Sequence, residues 1–557
     1  MRANPNRASI FGIFQSDRGM PLPKRVFSNI RMNESKISGF LLPHNVGAER
    51  LVSLLGGEVR CQIGEAADFS LKFFDSFDWR LHAAGLRLLQ MRSPQGAVLR
   101  LKPPDAGEPL DAIAFDPEPH WPADLPEGLL RTEIARRLDM RAVLPLATVT
   151  GKATGLAVLN EDSKTVVWLQ LLNMRCVAEG VEEPRVLWPR VRVLPVKGYQ
   201  SDFDRVSDFM ASEMEWPKAP ECLFDEVMAA VGREPGDYSS KMSVSLSPEM
   251  TAIDAMRRVL RDLLDTLERN IPGTREDLDS EFLHDLRVAT RRTRSALSQV
   301  KQVLPETVVE DFKQRFAWLG QVTGPVRDLD VFLLELPRYR ASLPASMAGD
   351  LDALEEHLRV AHAKEQAILK GELESERMAR LLEDWHAVLD AETVPGKPAM
   401  FADLPIEQVA SKRIWRMYKK VLKAGRTIDV DGPAEDMHEL RKDCKKLRYL
   451  IEFFQGIYPK RELKELVKAL KVLLDNLGEF QDLEVQADKL RSFARDFDPQ
   501  DPHSMPTVMA IGALVADLLR HQQAAHARFT DCFDAFDSVE NRARYTHLFK
   551  TVDEAQA

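Results

Sequence analysis

The stretch FLHDLRVATRRTRSAL, Phe282 to Leu297, places one histidine and four arginines in a segment that also has the apolar spacing of a buried helix. At 100° per residue, His284, Arg287, Arg291 and Arg294 fall within about an 80° arc, and Leu286, Ala289, Thr293, Ala296 and Leu297 fall opposite. A solvated helix face normally mixes signs so that residues at i,i+4 attract. An arc of cations alone repels itself, and an extended anion is the partner that would relieve it.

The stretch has a second copy. DMHELRKDCKKLRYLI, Asp436 to Ile451, pairs His438 with His284, Arg441 with Arg287, Lys445 with Arg291, Lys446 with Arg292 and Arg448 with Arg294, at an offset of 154 residues. Downstream, GPVRDLDV at Gly324 and GEFQDLEV at Gly478 keep the same offset, pairing Asp328 with Asp482. Two motifs with one offset predict a duplicated helical unit with pseudo-two-fold symmetry. Each stripe spans roughly 15 Å at 1.5 Å per residue, so the two together predict one continuous basic groove. Lys442 adds a further point charge, and Lys464, Lys468 and Lys471, on one face of LKELVKALKVLL, are candidates for another wall.

Around these motifs, 557 residues suggest two to four domains. With 44% hydrophobic and 29% charged residues the chain reads as globular, and its net charge of −10 excludes non-specific polyanion binding from bulk charge. Five scattered cysteines without a C-x-x-C pair argue against disulfides and zinc. No apolar run approaches the roughly 20 residues that span a bilayer, so a cytoplasmic protein with no membrane partner is expected. Residues 1–35 read as a flexible segment. Short runs such as GAVLRLK and TVVWLQLL, bounded by turn residues, predict a β-domain over 36–215. A linker is expected at 216–246, and an all-α domain over 247–550 that opens with Ser247 as N-cap and Pro248 in the first turn.

The doubled H-[DE]-L-R-x-x-x-[RK]-[RK]-x-R pattern, each copy followed by G-x-x-[RQ]-D-L-[DE]-V, resembles the CHAD domain, the conserved histidine α-helical domain. The resemblance implies two four-helix bundles around a basic cavity that binds inorganic polyphosphate, with association with polyphosphate granules. The residues agree with that ligand. Arginine forks onto phosphate oxygens, lysine adds point charges, and His284 and His438 bind more strongly once protonated. The stripes carry no interleaved aromatics to stack bases, which disfavours nucleic acid as the main ligand. Asp328 and Asp482 are read as orienting groups. The His284-Asp285 dipeptide also fits a metal phosphohydrolase, but the second copy has Glu439 and no further histidine at helical spacing completes a site. No metal, cofactor or catalytic residue is therefore assigned.

In the first half, Phe73 to Pro104, FFDSFDWRLHAAGLRLLQMRSPQGAVLRLKPP, resembles the central strands of CYTH domains, the triphosphate tunnel metalloenzymes. That resemblance implies an antiparallel tunnel with inward cations and metal-binding carboxylates. The stretch KISGFLLPHN offers no carboxylate at the expected E-x-E-x-K motif. Leu89 and Met91 take the places of the alternating arginines, leaving Lys102 alone. The expected fold is α+β multidomain: an N-terminal antiparallel β-barrel or tunnel-like domain, degenerate and non-enzymatic, then an all-α domain of two pseudo-symmetric four-helix bundles. The first domain is expected to recruit a protein partner. A metal-dependent tripolyphosphatase and a nucleic-acid or acidic-protein adaptor remain as alternatives.

Overall fold

The structure, a computed structural model, describes residues 37–550 apart from 45, 105–108, 179, 182, 221, 393, 395, 398, 430, 431, 499, 502 and 503. The segment 1–35, expected to be flexible, lies outside the described residues. The chain divides into two compact units between Ser239 and Ser240.

The first unit is built on nine strands: β1 (Ser38–Leu41), β2 (Cys61–Asp75), β3 (Arg87–Ser93), β4 (Gly96–Lys102), β5 (Asp111–Ala114), β6 (Leu144–Leu159), β7 (Thr165–Ala178), β8 (Arg185–Val186) and β9 (Arg190–Pro195). Five helices accompany them: α1 (Ala48–Leu55), α2 (Arg80–Ala83), α3 (Leu129–Leu138), α4 (Gln200–Ser212) and α5 (Leu223–Ala230). The strands form one antiparallel sheet in the order β1-β9-β7-β6-β2-β3-β4-β5, with β8 beside β7. Among the described residues the sheet does not close, so the expected barrel is an open sheet whose edges, β1 and β5, are only four residues long.

Strand alternation sends opposite residues to two cores. Leu169, Leu171, Val191 and Val193 pack on Leu51 and Leu55 of α1 and Phe203 and Val206 of α4. On the other face Phe73, Val149, Leu172 and Met174 pack on Phe224, Val227 and Met228 of α5. The span 216–246 is therefore not a linker: it carries a core helix, whose eight residues are too few to show a helical period in the sequence. At Gly151 of β6, which faces Met174 of β7, only glycine fits, since a Cβ there would lie 2.6 Å from the Asn173 carbonyl oxygen.

Among the described residues the second unit has twelve helices: α6 (Ala252–Arg275), α7 (Ser280–Gln299), α8 (Glu306–Val322), α9 (Gly324–Ser342), α10 (Asp352–Leu373), α11 (Glu376–Asp390), α12 (Ile406–Arg426), α13 (Ala434–Phe454), α14 (Lys460–Ala494), α15 (Ser504–Ala527), α16 (Phe529–Phe536) and α17 (Val539–Phe549). The first of them starts later than the sequence suggests. Thr251, not Ser247, is the N-cap of α6: its hydroxyl accepts from the Asp254 N–H at 3.3 Å and donates to the Asp254 carboxylate at 2.7 Å, a capping pair that Ser247 and Pro248 lack.

The duplication is visible in the helix starts. Helices α12, α13 and α14 begin at 406, 434 and 460, each 154 residues after the starts of α6, α7 and α8 at 252, 280 and 306. Backbone hydrogen bonds mark the pseudo-two-fold axis. Ala252 N–H donates to Leu404 O and Ile406 N–H to Met250 O, both at 2.8 Å. Ile253 N–H donates to Ala402 O and Glu407 N–H to Pro248 O. In each pair the second bond is the first moved by 154 residues, the pattern of an isologous contact inside one chain. One position breaks the symmetry. Pro325 lacks the N–H that would continue the helix, so the first copy splits into α8 and α9, whereas Glu479 at the matching position lets α14 run for 35 residues.

Both copies contribute to each buried cluster. The larger joins α6, α7, α8, α12, α13 and the first half of α14 around Leu286, Phe316, Leu440 and Leu470. The smaller joins α9, α10, α15 and the second half of α14 around Phe332, Leu354, Leu490 and Leu514.

Candidate anion-binding cleft

Both repeated helices are fixed locally before they meet. The Asp279 carboxylate caps α7 by accepting from the N–H groups of Glu281 and Phe282 at 3.0 and 3.2 Å. Pro433 precedes α13 in extended conformation. The apolar stripes then bury as their spacing predicts, Leu286, Ala289, Thr293, Ala296 and Leu297 in one copy and Leu440, Leu447, Leu450, Ile451 and Phe454 in the other. Helices α7 and α13 pack on each other, and with α14 they bound a cleft of about 510 Å³.

Six of the fourteen predicted ligand residues line this cleft: His284, Arg291 and Arg292 from α7, and Arg441, Lys445 and Arg448 from α13. Eight do not. The half-buried Arg287 turns to the adjoining helix, donating to Gly320 O at 3.1 Å and Thr323 Oγ1 at 3.0 Å, and burial lowers its pKa. Arg294 is exposed beside Gly320. Nε2 of His438 lies 2.8 Å from Glu484 Oε2, an ion-pair distance whose alignment is not that of a hydrogen bond. Lys442 is held by Glu439 at 2.6 Å and Lys446 by Asp443 at 2.9 Å. Lys464, Lys468 and Lys471 are exposed on α14 outside the cleft. Their spacing continues into Asp475, Gly478 and Asp482, so all six residues share one face of α14.

The cleft is not purely basic, as the stripes alone suggested, because α14 contributes Asp475, Glu479 and Asp482 and α13 contributes Glu452. Several of these acids are engaged. Arg441 donates to Gln481 Oε1 at 2.7 Å and to Asp482 Oδ1 at 3.0 Å. Glu452 takes Arg292 at 3.0 Å and Arg448 at 2.7 Å. Arg291 and Lys445 are left without a hydrogen bond or ion pair among the described residues. They are the same position in the two copies. Burial first, then the neighbouring Arg441 and Arg291, pushes the Lys445 ammonium down to about 8. A cleft that destabilises its own cation is one that an arriving anion would stabilise.

The sequence did not point to Lys241, which also lines the cleft, or to Asp475 and Glu479 of α14, although it read Asp482 as an orienting group. On the cleft-lining part of α14 the 154-residue offset marks Gly478 and Asp482. Asp482 pairs with Arg441, whereas Asp328 acts on Arg287 only at longer range.

In the first unit, Lys102 is not alone. Arg87, which pairs with it across β3 and β4, and Arg100 and Arg192 line a smaller cavity of about 140 Å³ with Phe73, Leu89 and Met91. Arg87 is buried, with its guanidinium 4.4 Å from the Phe224 ring centroid. None of the described residues lining that cavity is Asp or Glu, and no cluster of His, Cys, Asp and Glu able to hold a metal exists among the described residues. No described helix is long and apolar enough to cross a membrane.

No curated protein matches the chain. Among solved structures, the chain is similar to the CHAD domain from the plant Ricinus communis, at 28% identity and a TM-score of 0.44, over 55% of this chain and 96% of that one. It is also similar to PptA from Streptomyces chartreusis, at 18% identity and a TM-score of 0.40, over 51% of this chain and all of that one. Residues 258–491 of the helical unit, which hold both repeated helices and both downstream motifs, match the family model of the CHAD domain, and the antiparallel sheet unit that precedes them in the chain is compatible with a CYTH-like fold.

Proposed function

We propose that the cleft between α7, α13 and α14 binds inorganic polyphosphate, that the protein does so without hydrolysing it, and that it associates with polyphosphate granules. The observation that carries this reading is the pair Arg291 and Lys445, two cations without a hydrogen bond or ion pair among the described residues that the pseudo-two-fold brings together, with burial and then the neighbouring Arg441 and Arg291 pushing the Lys445 ammonium down to about 8. Charge-assisted bonds to phosphate contribute about 1.5–3 kcal/mol each. A longer chain leaves the cleft along the shared face of α14, reaching Lys471, Lys468 and Lys464 over roughly 27 Å from Asp482. In the sheet unit, none of the described residues lining the cavity with Arg87, Arg100, Lys102 and Arg192 is a carboxylate, which disfavours metal-assisted hydrolysis there, since that needs clustered carboxylates. That unit serves to recruit a protein partner.

The test is titration of the full chain with long-chain polyphosphate at two salt concentrations, with and without excess RNA, alongside phosphate release in Mg²⁺ or Mn²⁺. Tight, steeply salt-dependent binding that RNA does not displace, without phosphate release, is expected. Arg291→Glu with Lys445→Glu is expected to weaken binding by at least about 100-fold, two lost charge-assisted contacts, with helicity unchanged. Displacement by RNA moves the assignment to a nucleic-acid adaptor, and phosphate release moves it to a tripolyphosphatase.

A further inference from the structure

Three lysines lie within five residues on α13, and their surroundings differ. Lys442 is exposed and held by Glu439, which raises its pKa, and Lys446 is held by Asp443. Lys445 is half-buried, lines the cleft and makes no hydrogen bond or ion pair among the described residues. Arg441, Arg448 and Glu452 line the cleft with it from its own helix, and His284, Asp285, Arg291 and Arg292 from α7. Asp475, Glu479 and Asp482 face it from α14, and Asp482 alone of these acts on it appreciably. The result is an amine beside guanidinium groups suited to a phosphate, in a cleft open to small molecules.

We propose that Lys445 is a modification site for acyl phosphates, its amine attacking the acyl carbon while the cleft's arginines hold the phosphate. In the reaction the lysine nitrogen bonds to the carbonyl carbon and the bond from that carbon to the phosphate oxygen breaks. The electron pair leaves with inorganic phosphate, and the proton released from nitrogen passes to that phosphate or to water. The free amine is the nucleophile, and a group titrating near 8 supplies far more of it at neutral pH than an ordinary lysine near 10.4. Acylation replaces a cation at the pseudo-two-fold with a neutral amide. Only this consequence, a weaker hold on polyphosphate, rests on the function proposed above.

The experiment incubates the full chain with acetyl phosphate at pH 7.5 and follows acetylation of each lysine by peptide mass spectrometry, with and without long-chain polyphosphate. Lys445 is expected to react at least about tenfold faster than Lys442 and Lys446, to be protected by polyphosphate, and to slow selectively in Arg291→Gln. Reaction of Lys445 within twofold of Lys442 overturns the proposal, even if polyphosphate binds. Selective acetylation that polyphosphate does not block supports the modification site and overturns the polyphosphate reading.

Discussion

The two copies of the repeat share their helix starts to the residue and differ in how their cations are paired. In the second copy Arg441 reaches Gln481 and Asp482; in the first, Arg287 turns to the Gly320 carbonyl and Thr323. Two positions differ: the counterpart of Thr323 is Leu477, which offers no side-chain acceptor. The counterpart of Gln481 is Arg327, which has nothing to accept with and repels Arg287. The acid two residues beyond Asp328 and Asp482 diverges likewise. Glu484 contacts His438 of its own repeat, whereas Asp330 takes His362 of α10, and His284 lines the cleft. Duplication preserved the backbone frame, and the side chains then divided the work: some cations hold helices together and some face the ligand.

Glu479→Pro would break this comparison most forcefully, because it writes the first copy's Gly-Pro into the middle of α14. Loss of a helical hydrogen bond and a clash with the preceding turn are expected to cost about 3 kcal/mol. Glu479 makes only an exposed ion pair with Arg528, so little of that cost comes from the side chain. Pro325→Ala, where the helix is already split, is expected to be neutral or slightly stabilising. Urea unfolding of both variants checks this. A cost for Glu479→Pro of well under 1 kcal/mol would mean that the continuity of α14 contributes nothing to stability.

The paired arginines sharpen the comparison at a smaller scale. Arg287→Gln is expected to cost about 1–3 kcal/mol of stability through its two half-buried hydrogen bonds while leaving polyphosphate affinity within about threefold. Arg441→Gln is expected to do the reverse, weakening binding by about tenfold with little loss of stability, because Arg441 lines the cleft. Thermal unfolding and titration of both variants decide it. Equal effects on both measurements would show that the two arginines still do the same work.

The fold was the more legible part of this molecule. An offset read from two motifs reproduces three pairs of helix starts and the hydrogen bonds at the pseudo-axis, because helix position depends on apolar spacing and turn residues, which a sequence displays. The ligand set was half legible, for a physical reason. A helical wheel shows which side chains share an arc but not which neighbouring helix carries an acceptor. Only packing reveals that Thr323 takes Arg287, Asp443 takes Lys446, and none of the described residues takes Arg291 or Lys445 in a hydrogen bond or ion pair. In the sheet unit, Arg87 and Arg100 were legible by strand alternation once β3 and β4 are paired, whereas the burial of α5 was not.

The smallest expected effect concerns the histidine that the first copy recruits. Nε2 of His362 lies 2.9 Å from Asp330 Oδ1, with Asp277 at 3.9 Å from the other ring nitrogen and Arg327 at 4.0 Å from Asp330. The hydrogen bond to Asp330 raises the His362 pKa against the lowering effect of burial. A histidine raised in the folded state contributes stability that is fully present below its unfolded value near 6.5 and is lost as pH rises through the folded value. The difference in urea midpoint between the wild type and His362→Gln should therefore shrink between pH 6 and pH 8.5, by roughly a few tenths of a kcal/mol for a partly solvated pair. A difference that stays constant or grows with pH would mean that Asp330 holds His362 as a neutral hydrogen-bond partner. The first copy would then have exchanged an ion pair for a purely geometric tie.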